Sequence, residues 1–409
     1  MNKFTCKKTI KVFTIALLSM AFSSSNCMDI LASGADNGEV KIWDLSERRC
    51  LKKLPQGVVK EQSFNDVLSL AFSPDGSRLI SGFEGERRGK AIAWDTSGWS
   101  VLKTLQFKNY KGFCSVSFSP NGEKVAFGEQ RNGKIIICDV NENLILQTID
   151  THARRSGGVF VKFVTDERLV SFESANKNLT LWEDKKSGQR GFEKLYFKTL
   201  EGLAFLEFSP DGKKIALYHD NPFQDNYLKV VKVFDFHTDK LLRTLRCDYE
   251  VELAAFSQDG RLFAVAGRDN SYGQKVITIW DEKGEIVSTC HIAKGTIWKL
   301  AFSPDGKKLV ASLKDGMIKI WNTSNGKGLM HFRGHKSTIT SLAFKPVDQR
   351  LQKEEEERVM GERGVLERLQ EETLATGMRV GKKKLLVPGG EIIFPLWASS
   401  EQILLEEAP

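Results

Sequence analysis

The segment KLAFSPDG (Lys299–Gly306), followed by IKIWN (Ile318–Asn322), carries the pattern that identifies the fold of this chain. Apolar and polar residues alternate in both pieces, and alternation with a period of two is typical of β-strands. At the end of the first piece, Pro304 fixes the backbone for a turn and Gly306 accepts the positive φ angle of a tight hairpin. The segment therefore predicts antiparallel strands joined by a hairpin.

The same pattern returns along most of the chain. The first unit, an apolar strand that ends in phenylalanine, recurs every 42 to 48 residues, at Phe72, Phe118, Phe163, Phe208, Phe256, Phe302 and Phe344. The second unit ends in an aromatic residue, at Trp43, Trp94, Trp182, Phe234, Trp280 and Trp321, while Cys138 takes this position in one copy. A fixed period of this length is the signature of a repeat architecture.

These two units resemble those of the WD-repeat (WD40) β-propeller family, and the resemblance covers about residues 29–346. It implies an all-β fold, a seven-bladed β-propeller of four-stranded antiparallel blades. Four short strands cannot bury both faces of their sheet alone, so blades stack around an axis and the aromatic residues pack between neighbours. The chain is a divergent member, because it contains one Gly-His pair, Gly334-His335.

A count of the strands predicts how the ring closes. Residues 30–54 provide three strands of a blade without its innermost strand, and Thr338–Phe344 provides an innermost strand alone. We therefore expect a propeller over residues 26–346, closed by residues 29–55 with 338–346, which leaves no exposed edge at the junction. A rival partner for the last blade is Thr373–Val387. Residues 347–409 are expected to be a charged extension, partly helical over Gln349–Glu372.

The resemblance also implies a hydrogen-bonded relay in the closing blade. In the family such a relay joins a histidine, a serine or threonine, an aspartate and a tryptophan. The matching positions here are His335, Ser33, Asn37 and Trp43, where Asn37 departs from the usual aspartate. His335 is therefore expected to have a structural role.

The N-terminus has the order of a secretory signal peptide. Four lysines precede an apolar run from Val12 to Phe22, and serines follow it. Residues 1–25 are expected to be cleaved, which places the protein outside the cell or in the periplasm or cell envelope. The run is too short to span a bilayer. Lipidation of Cys27 is the less favoured alternative, and translation from Met28 would give a cytosolic scaffold.

Long connections between the second and third strands mark a candidate binding face. They occur at Glu84–Lys90, His219–Lys229 and Gly267–Lys275, and insertions on one face of a repeat array often form a binding surface. The candidate partner-binding residues are Arg87, Arg88, Phe223, Tyr227, Arg268, Tyr272 and Trp298. The alternatives are tolerated surface insertions and, for Trp298, ordinary core packing.

The sequence gives no positive sign of an enzyme. The innermost strands are apolar or carry serine, with Lys162, Glu207, Glu252 and Lys299 as isolated charges, and the six histidines are scattered. Phosphate-binding and nucleophile fingerprints are absent. We expect no catalytic residues, no metal and no cofactor; the alternative is a metal-dependent, lactonase-like propeller hydrolase. A formal charge of +8 over 409 residues does not indicate nucleic-acid binding. A monomeric scaffold for a protein or peptide partner is predicted.

Overall fold

The computed structural model describes most of the repeat region and two short pieces of the extension. The described residues are 29–55, 66–85, 88–108, 110–142, 144–151, 157–185, 191–200, 203–219, 230–236, 238–269, 274–292, 295–346, 383–387 and 390–394. They contain thirty β-strands and no helix. The chain divides into two compact units, residues 1–347 and 348–409.

The first unit is a propeller of seven four-stranded antiparallel blades, as the sequence predicted. The first three strands are β1 (Ile30–Ala35), β2 (Val40–Asp44) and β3 (Arg49–Leu54). Blade 1 follows with β4 (Val67–Phe72), β5 (Arg78–Phe83), β6 (Arg88–Asp95) and β7 (Val101–Lys108). Blade 2 consists of β8 (Phe113–Phe118), β9 (Lys124–Glu129), β10 (Lys134–Asp139) and β11 (Ile145–Asp150).

The next four blades repeat this order. Blade 3 has β12 (Val159–Phe163), β13 (Arg168–Glu173), β14 (Asn178–Asp184) and β15 (Phe192–Thr199). Blade 4 has β16 (Leu203–Phe208), β17 (Lys214–His219), β18 (Val230–Asp235) and β19 (Leu241–Arg246). Blade 5 has β20 (Glu250–Phe256), β21 (Phe263–Arg268), β22 (Lys275–Trp280) and β23 (Ile286–Ile292). Blade 6 has β24 (Ile297–Phe302), β25 (Lys308–Leu313), β26 (Met317–Asn322) and β27 (Gly328–Arg333).

The ring closes where β28 (Ile339–Phe344) pairs with β1 to complete blade 7, in the strand order β28-β1-β2-β3. Leu31 lies opposite Phe344 and Gly34 lies opposite Ser341. The described part of the rival segment is β29 (Lys383–Val387), which pairs with β30 (Gly390–Phe394) in a separate two-stranded sheet. The helix expected over Gln349–Glu372 lies outside the described residues, and the described part of the extension is this hairpin.

One apolar cluster fills each space between neighbouring blades, so seven clusters form the core. The repeat aromatics occupy these spaces. Trp94 is fully buried, Trp43, Trp182, Trp280 and Trp321 are buried, and Phe234 is half-buried. Burying a large apolar side chain contributes roughly 1.5–3 kcal/mol, so the spaces between the blades stabilise the ring.

Cationic side chains add a second link between blades. Each stands at the first position of a second strand and reaches a neighbouring blade. Arg78 donates to the Val140 carbonyl at 3.1 Å, Lys124 pairs with Asp184 at 2.7 Å, and Lys214 donates to the Gly260 carbonyl at 2.9 Å. Lys308 pairs in the same way with Asp29.

Glycines allow the innermost strand of one blade to approach the second strand of the blade before it. A Cβ atom on Gly128 in blade 2 would lie 1.9 Å from the Val159 carbonyl oxygen in blade 3. The same close approach recurs at Gly82, where a Cβ atom would lie 2.6 Å from the Phe113 carbonyl oxygen. Only a residue without a side chain fits these two positions.

The substitution Gly128→Ala should therefore destabilise the propeller. We expect a loss of roughly 1–3 kcal/mol in the free energy of unfolding, because the methyl group would overlap backbone atoms of the next blade. The free energy of unfolding is measured by urea titration, with tryptophan fluorescence as the signal. Gly328→Ala is the matched control, since a Cβ atom there would meet nothing within 4 Å. Equal effects from the two substitutions would contradict the close-approach interpretation.

Candidate functional site

The connections that enter the innermost strands lie at the same end of the propeller as those between the second and third strands. Backbone hydrogen bonds join the two sets: Asp36 N–H donates to the Thr338 carbonyl at 3.0 Å, and Ser174 N–H donates to the Gly158 carbonyl at 3.0 Å. Lys314 N–H donates to the Thr296 carbonyl in the same manner, at 2.9 Å. We call this end the loop face; the described strand ends that flank the three long connections singled out in the sequence lie at this end.

A β-bulge marks the start of six of the seven innermost strands. Each bulge leaves one residue without a partner in the ladder, four residues before the repeat phenylalanine. These residues are Leu68, Cys114, Ala204, Glu252, Trp298 and Thr340. A bulge bends its strand and re-aims the extra side chain. Because the innermost strands surround the axis, the bulged residues form the mouth of the central channel at the loop face.

Two aromatic side chains are exposed on the innermost strands at this mouth. Trp298, the bulged residue of β24, is 41 % exposed, and Phe160, near the start of β12, is 43 % exposed. The pairing of β12 with β13 runs without a bulge, in contrast to the other six blades. Blades 3 and 6 stand three positions apart in the circle of seven blades. The side chains of Phe160 and Trp298 therefore lie on opposite sides of the channel.

Charged side chains lie in the blade next to that of Trp298. Glu252, the bulged residue of the adjacent blade 5, pairs with Lys275, which begins the third strand of that blade. Arg268 ends β21 opposite Lys275 and is exposed. Trp298 therefore has an ion pair and an exposed guanidinium in the neighbouring blade.

The structure brings together some of the predicted binding residues. Arg268 and Trp298 stand at the loop face in adjacent blades, and Arg88 begins β6 in blade 1. Arg87, Phe223, Tyr227 and Tyr272 lie outside the described residues, as does the side chain of Arg88. Sequence reasoning missed Phe160. The signal that could have found it is an aromatic residue at a position where other copies of the repeat carry serine.

The relay in blade 7 contains an acid that the sequence analysis did not select. Trp43 Nε1 donates to Ser33 Oγ at 2.7 Å, and Ser33 Oγ lies 2.7 Å from His335 Nε2. On the other side of the imidazole, Nδ1 lies 3.4 Å from Oε2 of Glu39. The assignment of Asn37 to this place was wrong: Asn37 Oδ1 accepts a hydrogen bond from the Glu39 backbone N–H, so Asn37 shapes the turn while Glu39 faces the histidine.

His335 is held neutral in this relay. It is 1 % exposed, and burial lowers the pKa of its imidazole to about 4, with the Lys41 ammonium adding to the effect. Lys41 donates to the Gly334 carbonyl at 2.9 Å and lies 3.1 Å from Glu39. The relay thus joins β1 and β2 to the residues just before β28, and its role is to hold the closing blade together.

Within the described part of the chain, no group of three or more His, Cys, Asp or Glu side chains is placed to hold a metal ion. The same part contains no helix that is long and apolar enough to cross a membrane. The loop face presents exposed aromatic surface, charged side chains and backbone groups.

Comparison with known proteins agrees with the fold. A sequence profile of the WD domain, G-beta repeat, matches residues 4–44, 53–95 and 284–322. The first match begins inside the segment expected to be a signal peptide. Three segments of the chain therefore match the WD40 repeat.

Two relatives illustrate the similarity. The chain is 20 % identical over 366 residues to a putative BTB/POZ domain and WD-repeat protein of Acanthamoeba polyphaga mimivirus, an alignment of 82 % of this chain and 66 % of that one. It is 22 % identical to WD repeat-containing protein 82 of Drosophila melanogaster, over 70 % of this chain and 86 % of that one. The chain spans 19 %, 45 % and 48 % of the length of three further relatives.

Among solved structures, the computationally designed Ika8 protein superposes with a TM-score of 0.52 at 22 % identity, over 78 % of this chain and 91 % of that one. At this identity the likeness concerns the fold alone.

The buried histidine makes the stability of the protein dependent on pH. The pKa of His335 is about 4 in the folded protein and about 6.5 in an unfolded chain, so the unfolded chain binds the proton first as the pH falls. The stabilisation is complete above pH 6.5 and is lost between pH 6.5 and 4. Protonation of His335 in the unfolded chain thereby lowers the free energy of unfolding by about 3 kcal/mol over this range. We expect the stability difference between the wild type and His335→Gln to shrink by that amount over this window.

Urea unfolding at a series of pH values measures this difference. His331→Gln is the control, because His331 is exposed on β27. A difference between wild type and His335→Gln that stays constant with pH would show that His335 is not held neutral.

Proposed function

We propose that this propeller is a non-catalytic scaffold that binds a protein or peptide segment on its loop face, around the mouth of the central channel. The observation that carries the proposal is the exposure of Trp298 and Phe160 on opposite sides of that mouth. Tryptophan side chains are highly buried on average in folded proteins, and tryptophan is among the residue types most enriched in the anchors of interfaces.

The scaffold is well suited to such a role because its binding groups stand on strands. An innermost strand is held between the two adjacent blades, so a side chain on it loses little conformational freedom when a ligand binds. Less of the binding free energy is therefore lost to ordering that side chain. Arg268 and the Glu252–Lys275 pair provide polar groups around the aromatic residues. An apolar centre with a polar rim is the usual arrangement of a protein interface.

Trp298→Ala should remove most of the binding. Panning the wild-type protein against a displayed library of random peptides provides ligands, whose affinities are then measured by fluorescence anisotropy. We expect a loss of about tenfold or more for Trp298→Ala, because truncation of an anchoring tryptophan costs about 2 kcal/mol or more. Phe160→Ala should weaken the same peptides, and Arg268→Glu should change which peptides are selected.

Ile286→Ala is the matched control, since Ile286 is an exposed apolar residue on the outer strand β23. Its effect on affinity should be small, and the thermal stability of all variants should match that of the wild type. Peptides that bind equally well to Trp298→Ala and to the wild type would place the binding surface elsewhere.

For the N-terminus we propose cleavage of residues 1–25 as a secretory signal, supported by the lysines and the apolar run that follows them. The repeat match that begins at residue 4 favours a different interpretation. In that interpretation LSMAFS at Leu18–Ser23 is a copy of the innermost-strand unit, because it differs from LSLAFS at Leu68–Ser73 in one position.

The intact mass of the protein purified from its native source separates these interpretations. Cleavage should give a chain that begins near Asn26. A mass that includes residues 1–25 would overturn the secretory proposal, and a chain that begins at Met28 would indicate internal initiation.

A further inference from the structure

Three innermost strands carry a charged side chain within the three residues that precede the repeat phenylalanine. Lys162 and Glu207 stand one residue before the repeat phenylalanines of blades 3 and 4, and Lys299 stands three residues before that of blade 6. All three are half-buried. Equivalent positions in other blades carry serine or alanine in eight cases, Ser69, Ala71, Ser115, Ser117, Ala255, Ala301, Ser341 and Ala343.

The serines show where side chains at these positions point. Ser69 Oγ donates to the Phe113 carbonyl of the next blade at 2.9 Å, and Ser115 Oγ donates to the Val161 carbonyl at 3.1 Å. The Phe163 N–H donates to Ser117 Oγ at 3.0 Å. These positions therefore face the neighbouring innermost strand, and we expect a side chain as long as lysine to extend past that strand towards the channel.

Electrostatic contacts across the ring support this placement. Lys299 in blade 6 acts on the Cys114 thiol in blade 2, three positions away in the ring of seven, and also on the Glu207 carboxyl in blade 4. Glu207 interacts in turn with Lys162. The three charged groups are therefore close enough to interact electrostatically across the ring.

This space has an excess of positive charge without direct pairing. Among the residues that the structure describes, no carboxylate oxygen lies within 4.0 Å of the ammonium nitrogen of Lys162 or Lys299. Burial raises the pKa of Glu207 to about 7 against the pull of both lysines, so this carboxyl compensates their charge in part. Half-buried charges without partners are costly, and proteins usually pair them with an opposite charge.

We propose that the central channel accepts an acidic side chain of the bound peptide, whose carboxylate pairs with Lys299 and Lys162 while the adjacent part of the peptide packs on Trp298. The proposal rests on the proposed function of the loop face and names the chemistry of its ligand. Trp298 directly precedes Lys299, so a ligand that enters at the mouth meets the indole first and the ammonium behind it. A basic side chain is disfavoured, because Glu252 at the mouth is already paired with Lys275.

The test compares peptides selected on the wild-type protein with those selected on Lys299→Met. Aspartate and glutamate should be enriched in the wild-type selection and lose their enrichment on the variant. A selected peptide should bind Lys299→Met at least about tenfold more weakly than the wild type, since a charge-assisted hydrogen bond is lost. Its acid-to-amide counterpart should be weak on the wild type and insensitive to the substitution, and Lys162→Met should act in the same direction.

Lys314→Met is the matched control, because Lys314 is exposed at the loop face of the same blade, outside the channel. Bound peptides without acidic enrichment, or equal losses for Lys299→Met and Lys314→Met, would overturn the inference and leave the scaffold function intact. Failure of the wild type to bind any peptide would overturn both.

A final arm uses inorganic phosphate. An increase in the thermal stability of the wild type by phosphate, absent in Lys299→Met and without any peptide binding, would identify the ligand as a free anion and overturn the assignment to a peptide. Competition of phosphate with a selected acidic peptide would support a shared anion site.

Discussion

Each blade leaves apolar side chains on both faces of its sheet, and these are buried only against the blades on either side. The seven apolar clusters between blades are therefore a single closed system, in which every cluster depends on the presence of both neighbours. Closure is achieved by the pairing of β28 with β1, which joins segments from opposite ends of the repeat region. Without it, two blade faces and one strand edge would be exposed to water.

A network of polar side chains joins the strands of the closing blade, in addition to the backbone pairing of β28 with β1. Its strands come from distant parts of the chain, so loop-closure entropy opposes their pairing. The Trp43–Ser33–His335 relay, the approach of Glu39 and the bond from Lys41 to the Gly334 carbonyl all cross this junction. A buried polar network fixes one arrangement of the strands, because any other would leave its members without partners.

The same closure creates the channel and sets the chemistry at its mouth. The bulges that begin six innermost strands place one side chain per blade at a similar height around the axis. The ring also brings Phe160, from the one innermost strand without a bulge, to the opening that Trp298 borders. Beneath them, Lys162, Glu207 and Lys299 share a confined space in which their charges act over longer distances than in water.

The sequence by itself determined the strands, the hairpin turns and the number of blades. Alternation and the spacing of Phe72 to Phe344 are local features repeated seven times, and turn residues with both Pro and Gly follow the strand in four of these copies. It also favoured β1 as the partner of β28. Only the tertiary structure decided that Glu39 and not Asn37 faces His335, that Phe160 is exposed, and that Lys299 acts on Cys114 and Glu207 across the ring. These facts depend on whether a strand has a bulge and on the turn that Asn37 shapes, each of which shifts a side chain by one or two positions. The repeat pattern fixes which residues form a strand, but the packing of neighbouring blades fixes where each side chain points.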